Sequence, residues 1–129
     1  MDTNIVYYRV KLEDIVSKLE NVLRSDPRVE IAVLFGSVLY SNDVRDIDIA
    51  IYAYPPLALK ELLLLGDKLE RIINIPVDLV PLNEIPPSLQ YKVLIEGKPL
   101  VVKNKDLYDK LILSALGQIQ DIRLKEGIT

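Results

Sequence analysis

Leu34-Phe35-Gly36-Ser37 and, after eight intervening residues, Asp46-Ile47-Asp48-Ile49-Ala50-Ile51 form the stretch on which the fold turns. An apolar run ending in Gly-Ser reads as a buried strand followed by a turn, and Ile47, Ile49 and Ile51 alternate as in a second strand. Successive side chains of a strand point to opposite faces, so Asp46 and Asp48 share one face, roughly 6 to 7 Å apart. Two carboxylates at that separation can share divalent cations. Gly36 lets the backbone approach a phosphate, and Ser37 offers a hydroxyl and an N–H at a helix start, so a triphosphate fits between the turn and the metals.

Around this centre the apolar spacing predicts the remaining elements. Leu12, Ile15, Val16, Leu19, Val22 and Leu23 recur at helical spacing, which makes Lys11 to Arg24 an amphipathic helix ending before Ser25-Asp26-Pro27. Glu30 to Phe35 is nearly continuously apolar, as expected of a central strand, and Asp46 to Ala53 is the second strand. Pro55-Pro56 closes that strand and opens a helix from Leu57 to Ile73, since proline is tolerated in a first helical turn. Its Leu62-Leu63-Leu64-Leu65 run is apolar around more than one face, which predicts deep burial or a partner. Val77 to Val80 is a third strand, Pro86 to Glu96 a helix, Lys98 to Lys103 a fourth strand, and the apolar positions from Leu107 to Ile122 make a final helix. The expected fold class is α+β, a small mixed β-sheet with helices packed mainly on one face and the carboxylate face open.

Composition narrows the chemistry. At 129 residues with 50% apolar side chains, residues 1–129 read as a single domain with enough core to fold without a staple. The absence of cysteine and histidine removes disulfides, thiolate nucleophiles, Ser-His-Asp triads and Cys- or His-ligated zinc. Oxygen-ligated hard cations are left as the simplest catalytic aid, and Mg²⁺, with Mn²⁺ as substitute, suits aspartates plus substrate phosphates. With 19 acidic against 16 basic residues and a net charge of −3, general nucleic-acid binding is not expected. No apolar segment approaches the roughly 20 residues needed to cross a bilayer, and Met1-Asp2-Thr3-Asn4 lacks a basic leader start, so a cytoplasmic location and no membrane partner are expected.

Each feature has an ordinary alternative. Gly-Ser after a strand is common turn chemistry. Asp-x-Asp is harder to dismiss, because aspartate is depleted in strands and two on one face repel unless a cation lies between them. Asp78, between Val77 and Leu79, repeats the anomaly in another strand. Arg45 is either a phosphate ligand or a surface partner of Asp43; Lys98 and Lys103, flanking the last strand, either reach a triphosphate or are solvated. Tyr7, Tyr8, Tyr52 and Tyr54 either stack a base or line the surface.

The ordered set, an apolar strand with Gly36-Ser37, Asp46-x-Asp48 in the next strand and a later Asp78, resembles the nucleotidyltransferase superfamily of DNA polymerase beta, most closely its minimal nucleotidyltransferase (MNT) branch. The likeness covers Val29 to Val102, including a tail in which a helix leads through Gly97 to a last strand. It departs in the linker: Val38-Leu39-Tyr40-Ser41-Asn42-Asp43-Val44-Arg45 is shorter than usual in that branch and its arginine is displaced. The resemblance implies Mg²⁺-dependent transfer of a nucleoside monophosphate, AMP from ATP, to a hydroxyl. Asp46, Asp48 and Asp78 would be the catalytic and metal residues for two ions, with Asp78 as general base, and Gly36, Ser37 and Arg45 the nucleotide ligands. It further implies an antitoxin whose acceptor is a helical HEPN-type partner protein. The competing functions are a small-molecule nucleotidyltransferase of the antibiotic-modifying kind, which usually needs a further helical domain, and a binding module that neutralises its partner by contact. The combined apolar helix surface predicts a homo- or hetero-oligomer.

Overall fold

The computed structural model describes residues 5–127; residues 1–4, whose lack of a basic leader entered the expectation above, lie outside them. In chain order the elements are β1 (Tyr8–Arg9), α1 (Leu12–Ser25), β2 (Val29–Phe35), β3 (Asp43–Val44), β4 (Ile47–Ala53), α2 (Leu59–Ile73), β5 (Val77–Pro81), α3 (Pro87–Glu96), β6 (Lys98–Val102) and α4 (Lys105–Lys125). Single 3-10 turns occupy Ser37–Leu39 and Leu82–Glu84. The main sheet has the order β5-β4-β2-β6; β2 runs antiparallel to both neighbours and β4 parallel to β5. It is the mixed sheet of an α+β fold.

Central position explains why β2 reads as a continuous apolar run. Ala32 and Leu34 pack with Ile15, Leu19 and Leu23 of α1 and Leu69 of α2, whereas Ile31 and Val33 pack with Val93 and Leu94 of α3 and Tyr108 of α4. Helices therefore cover both faces, which corrects the expectation of packing mainly on one. The reason lies in β2 itself, whose apolar residues at successive positions leave no face to be solvated. In β4, Ile47, Ile49 and Ile51 join the α1/α2 core, while Ala50 and Tyr52 lie against the α3/α4 core. That second core also takes in Val80 of β5, while toward the other end of the strands Asp78 is exposed and Asp48 partly buried.

The leucine run of α2 divides between core and surface. Leu62 is buried and Leu65 packs against the first core, whereas Leu63 and Leu64 are 65% and 62% exposed. The helix begins at Leu59, two residues later than its prolines predict, with the Ala58 N–H donating to Glu61 at 2.9 Å. Asn74 ends it in the left-handed conformation at φ 59°, a position asparagine tolerates. On the outer strand β5, Pro81 has no N–H to offer and the Val77 N–H is bonded by the Glu70 carboxylate at 2.9 Å. Both features blunt an edge that could otherwise pair with another strand.

The pairing of β1 with β3, through Tyr8↔Val44 and Arg9↔Asp43, was not legible in the sequence. Two-residue strands carry no detectable periodicity. The pairing nevertheless fixes the linker after Ser37 and brings the N-terminal tyrosines to the same end of the molecule as the carboxylates.

Candidate active site

Strand register assembles the site. Asp48 and Asp78 are directly paired positions of the parallel strands β4 and β5, so their side chains stand on one face of adjacent strands. Asp46 lies two residues before Asp48, just ahead of β4 rather than within it. Across the antiparallel pair, Phe35 is opposite Asp48, and the chain turns immediately afterwards at Gly36. Gly36 has φ 85° and ψ −158°, a region open in practice only to glycine. A Cβ there would collide with the Asp48 carboxylate. The glycine thus serves both the turn and the close approach of β2 to the acid.

Ser37 is exposed and starts a single 3-10 turn, closed by Leu39 and Tyr40 N–H bonds to Gly36 and Ser37 carbonyls at 3.2 and 3.0 Å. One 3-10 turn stands where the sequence reading allows a longer helix, so the contribution of a helix dipole is small and the local N–H groups and hydroxyl are the available donors. Arg45 is exposed and lines, with Tyr7, Ser37 and Asp46, an open cleft of about 420 Å³. Asp43 pairs instead with Arg9 at 3.3 Å, and Arg45 has no ion pair among the described residues. Lys103 is removed from consideration as a phosphate ligand. Its ammonium donates to the Asp26 carbonyl at 2.8 Å, and β6 pairs with β2 so that Lys98, not Lys103, lies toward Gly36.

Asp48 is the electrostatic centre. Burial raises its pKa first, and the charges of Asp46 and Asp78 raise it further, to about 6. No lysine or arginine forms an ion pair with any of the three among the described residues. A carboxyl whose pKa is raised by burial and by two neighbouring like charges is a site short of cations, and three oxygen donors without nitrogen or sulfur match a hard ion such as Mg²⁺. Among the described residues no three acidic groups close around one point. For the three aspartates to share one ion their carboxylates would have to turn toward it, with water and substrate phosphates completing its shell.

The raised pKa has a thermodynamic consequence in the metal-free protein. A carboxyl whose folded pKa lies above its unfolded value of 3.8 contributes stability fully below that value and loses it as pH rises through about 6. Each pKa unit corresponds to about 1.4 kcal/mol, and solvent around a half-buried group takes up part of it, leaving ~1–2 kcal/mol. In EDTA, the stability of the wild type relative to Asp48→Asn should therefore fall as pH rises from about 4 to about 6.5, between the unfolded and folded pKa values, as read by urea unfolding. A difference independent of pH would show that Asp48 is not under this strain.

A feature that the sequence did not reveal also borders the Gly36-Ser37 turn. Phe35, Leu39 and Tyr40 face Leu89, Lys92 and Glu96 of α3 across a largely apolar pocket of about 210 Å³. Its signal was present in the helix, where Leu89, Lys92, Val93 and Glu96 recur at i, i+3, i+4 and i+7.

Comparison with known proteins agrees with this architecture. Residues 17–106 match the family model described as polymerase beta, nucleotidyltransferase. A Methanocaldococcus jannaschii protein provisionally named a protein adenylyltransferase is 31% identical over 77 residues, covering 58% of this chain and 79% of that protein. Among solved structures, a chain from the Shewanella oneidensis complex of a tri-AMPylated HEPN toxin with its MNT antitoxin superposes with a TM-score of 0.74 at 26% identity, covering 89% of this chain and 92% of that one. A chain from a toxin–antitoxin structure with AMP-PNP gives a TM-score of 0.72 at 25% identity over 91% and 94%. With the family model matching well over half its length, the chain belongs to the polymerase beta nucleotidyltransferase family, of the minimal MNT type.

Proposed function

We propose that this protein transfers AMP from ATP to a side-chain hydroxyl of a helical HEPN-type partner, acting as the antitoxin of a toxin–antitoxin pair. The observation that carries the reading is the placement of Asp48 and Asp78 on paired strand positions, with Asp46 beside them and the Gly36-Ser37 turn against Asp48. The AMPylated toxin in the Shewanella oneidensis complex and the AMP-PNP in the second structure support the choice of adenylate and of acceptor.

Asp46 and Asp48 would hold one Mg²⁺ and all three aspartates the other. When bound, these ions neutralise charge on the phosphates and lower the pKa of the acceptor hydroxyl. The chain's own groups do the positioning. Ser37 donates its hydroxyl and backbone N–H to the β and γ phosphates, which Gly36 lets approach, and the Arg45 guanidinium neutralises them from the open cleft. Asp78 is exposed on the outer strand, where an acceptor arrives from solvent, and accepts the hydroxyl proton as the oxygen forms its bond to the α-phosphorus. The bond from that phosphorus to the bridging oxygen breaks, and pyrophosphate leaves on the Ser37 side.

Incubation of the wild type with α-³²P-ATP, Mg²⁺ and the HEPN-type partner should leave label on the partner after denaturation, because a phosphodiester is covalent. EDTA or Asp78→Asn should abolish the label while the two proteins still associate. A tight complex that silences the partner without label under Mg²⁺ or Mn²⁺ would replace catalysis by inhibition through contact.

A further inference from the structure

The apolar pocket between the Gly36-Ser37 turn and α3 is not used by the chemistry above. Its walls are Phe35, Leu39 and Tyr40 on one side and Leu89 on the other, with Lys92 and Glu96 among the lining groups. At about 210 Å³ it falls below the ~300–1,000 Å³ of pockets for drug-sized ligands, and so has the scale of one ring system rather than of a whole nucleotide. A second cleft bordering the same turn is more polar than this pocket and carries Ser37, Arg45 and Asp46. The two cavities together match the division within a nucleotide, which has an anionic tail and a flat base with apolar faces.

We infer that this pocket seats the nucleobase of the nucleoside triphosphate, with the ring between the Phe35/Leu39 and Leu89 walls and its polar edge toward Lys92 and Glu96. The inference rests on the nucleotidyl-transfer reading and extends it to the base. Strand order decides between the base and an aromatic acceptor side chain as occupant. Along the sheet end the order is Asp78 on β5, Asp48 on β4 and Phe35 on β2. In-line displacement requires the acceptor to enter opposite the leaving pyrophosphate. With pyrophosphate held at Gly36-Ser37, the acceptor enters from the Asp78 side, and a pocket bordering Phe35 and Gly36 belongs to the nucleotide. Base recognition is then supplied by phenyl, phenol and leucine surfaces, which stack any base, and by two charged groups that read its edge.

Calorimetry with Mg²⁺-ATP and Mg²⁺-tripolyphosphate tests this, because tripolyphosphate has the tail and lacks the base. The wild type should bind ATP more tightly than tripolyphosphate. Leu89→Trp, which fills the pocket from a partly exposed position, should weaken ATP by about tenfold or more, the scale of one stacked base, and leave tripolyphosphate unchanged. Unchanged tripolyphosphate binding also demonstrates an intact fold. Tyr40→Ala, at an exposed wall position, should act in the same direction with a smaller factor. Unaltered ATP affinity in Leu89→Trp overturns the inference, as does loss of partner labelling with ATP affinity intact, which would make the pocket an acceptor seat. Equal weakening of both ligands in both variants overturns it too. A wild type that binds neither ligand overturns the nucleotidyl-transfer reading itself, and the base site with it.

Discussion

Asp48→Asn should reduce nucleotidyl transfer by ~10³-fold or more while making the metal-free protein more stable at neutral pH. The loss follows from removing a ligand common to both proposed ions, and electrostatic groups aimed at a developing charge are typically worth ~10²–10³ each. The gain follows from the raised pKa of Asp48, which burial and the Asp46 and Asp78 charges drive to about 6. An amide of the same shape avoids that penalty, so ~1–2 kcal/mol should be recovered at pH 7.5. For a chain of this size that is a melting-temperature rise of roughly 3 to 10 °C. Scanning calorimetry in EDTA beside a transfer assay in Mg²⁺ reads both quantities. A variant that loses activity and also melts lower would mark Asp48 as a structural acid.

Gly36→Ala should produce the opposite stability change together with weaker ATP binding. Alanine is strained at φ 85°, ψ −158°, at a cost of ~1–3 kcal/mol for a residue forced into a glycine-only region. The added methyl also meets the Asp48 carboxylate, which stands opposite Phe35. Either the turn or the acid must move, and each carries part of the proposed site. Thermal unfolding should show a fall of several degrees, and ATP binding in Mg²⁺ should weaken by at least ~10-fold, the effect of losing one well-placed charge-assisted contact. Binding that survives at wild-type strength would mean that the phosphates do not lie on this turn.

The sequence showed these elements where physics leaves a periodic trace. β4 was readable because Ile47, Ile49 and Ile51 alternate, and β2 because burial on both faces makes it apolar throughout. Asp46, Asp48 and Asp78 stood out because carboxylates are costly in strands, but their gathering in one site was implied only by the family resemblance, since the pairing of β4 with β5 that aligns Asp48 with Asp78 leaves no trace in the sequence. Packing on both faces of the sheet was less accessible, since α3 and α4 declare an apolar stripe but not which face it meets. The pairing of β1 with β3 lay beyond reach, as did the identity of Asp43's partner. Arg9 and Asp43 are far apart in sequence and meet only through that pairing. The pocket beneath Tyr40 escaped notice for a related reason: half its wall comes from a turn and half from a helix, and neither half is unusual alone.

The short β1–β3 ribbon has a practical consequence for anyone handling this protein. By fastening Tyr8 to Val44, it sets Tyr7 on the rim of the cleft that holds Ser37, Arg45 and Asp46. A purification tag or fused domain joined ahead of Tyr7 would be tethered near that cleft, the proposed entrance for ATP, and an apparent weak affinity would then report the fusion rather than the site. The opposite end of the chain offers a cleaner handle, because α4 contributes no wall to that cleft or to the pocket under Tyr40.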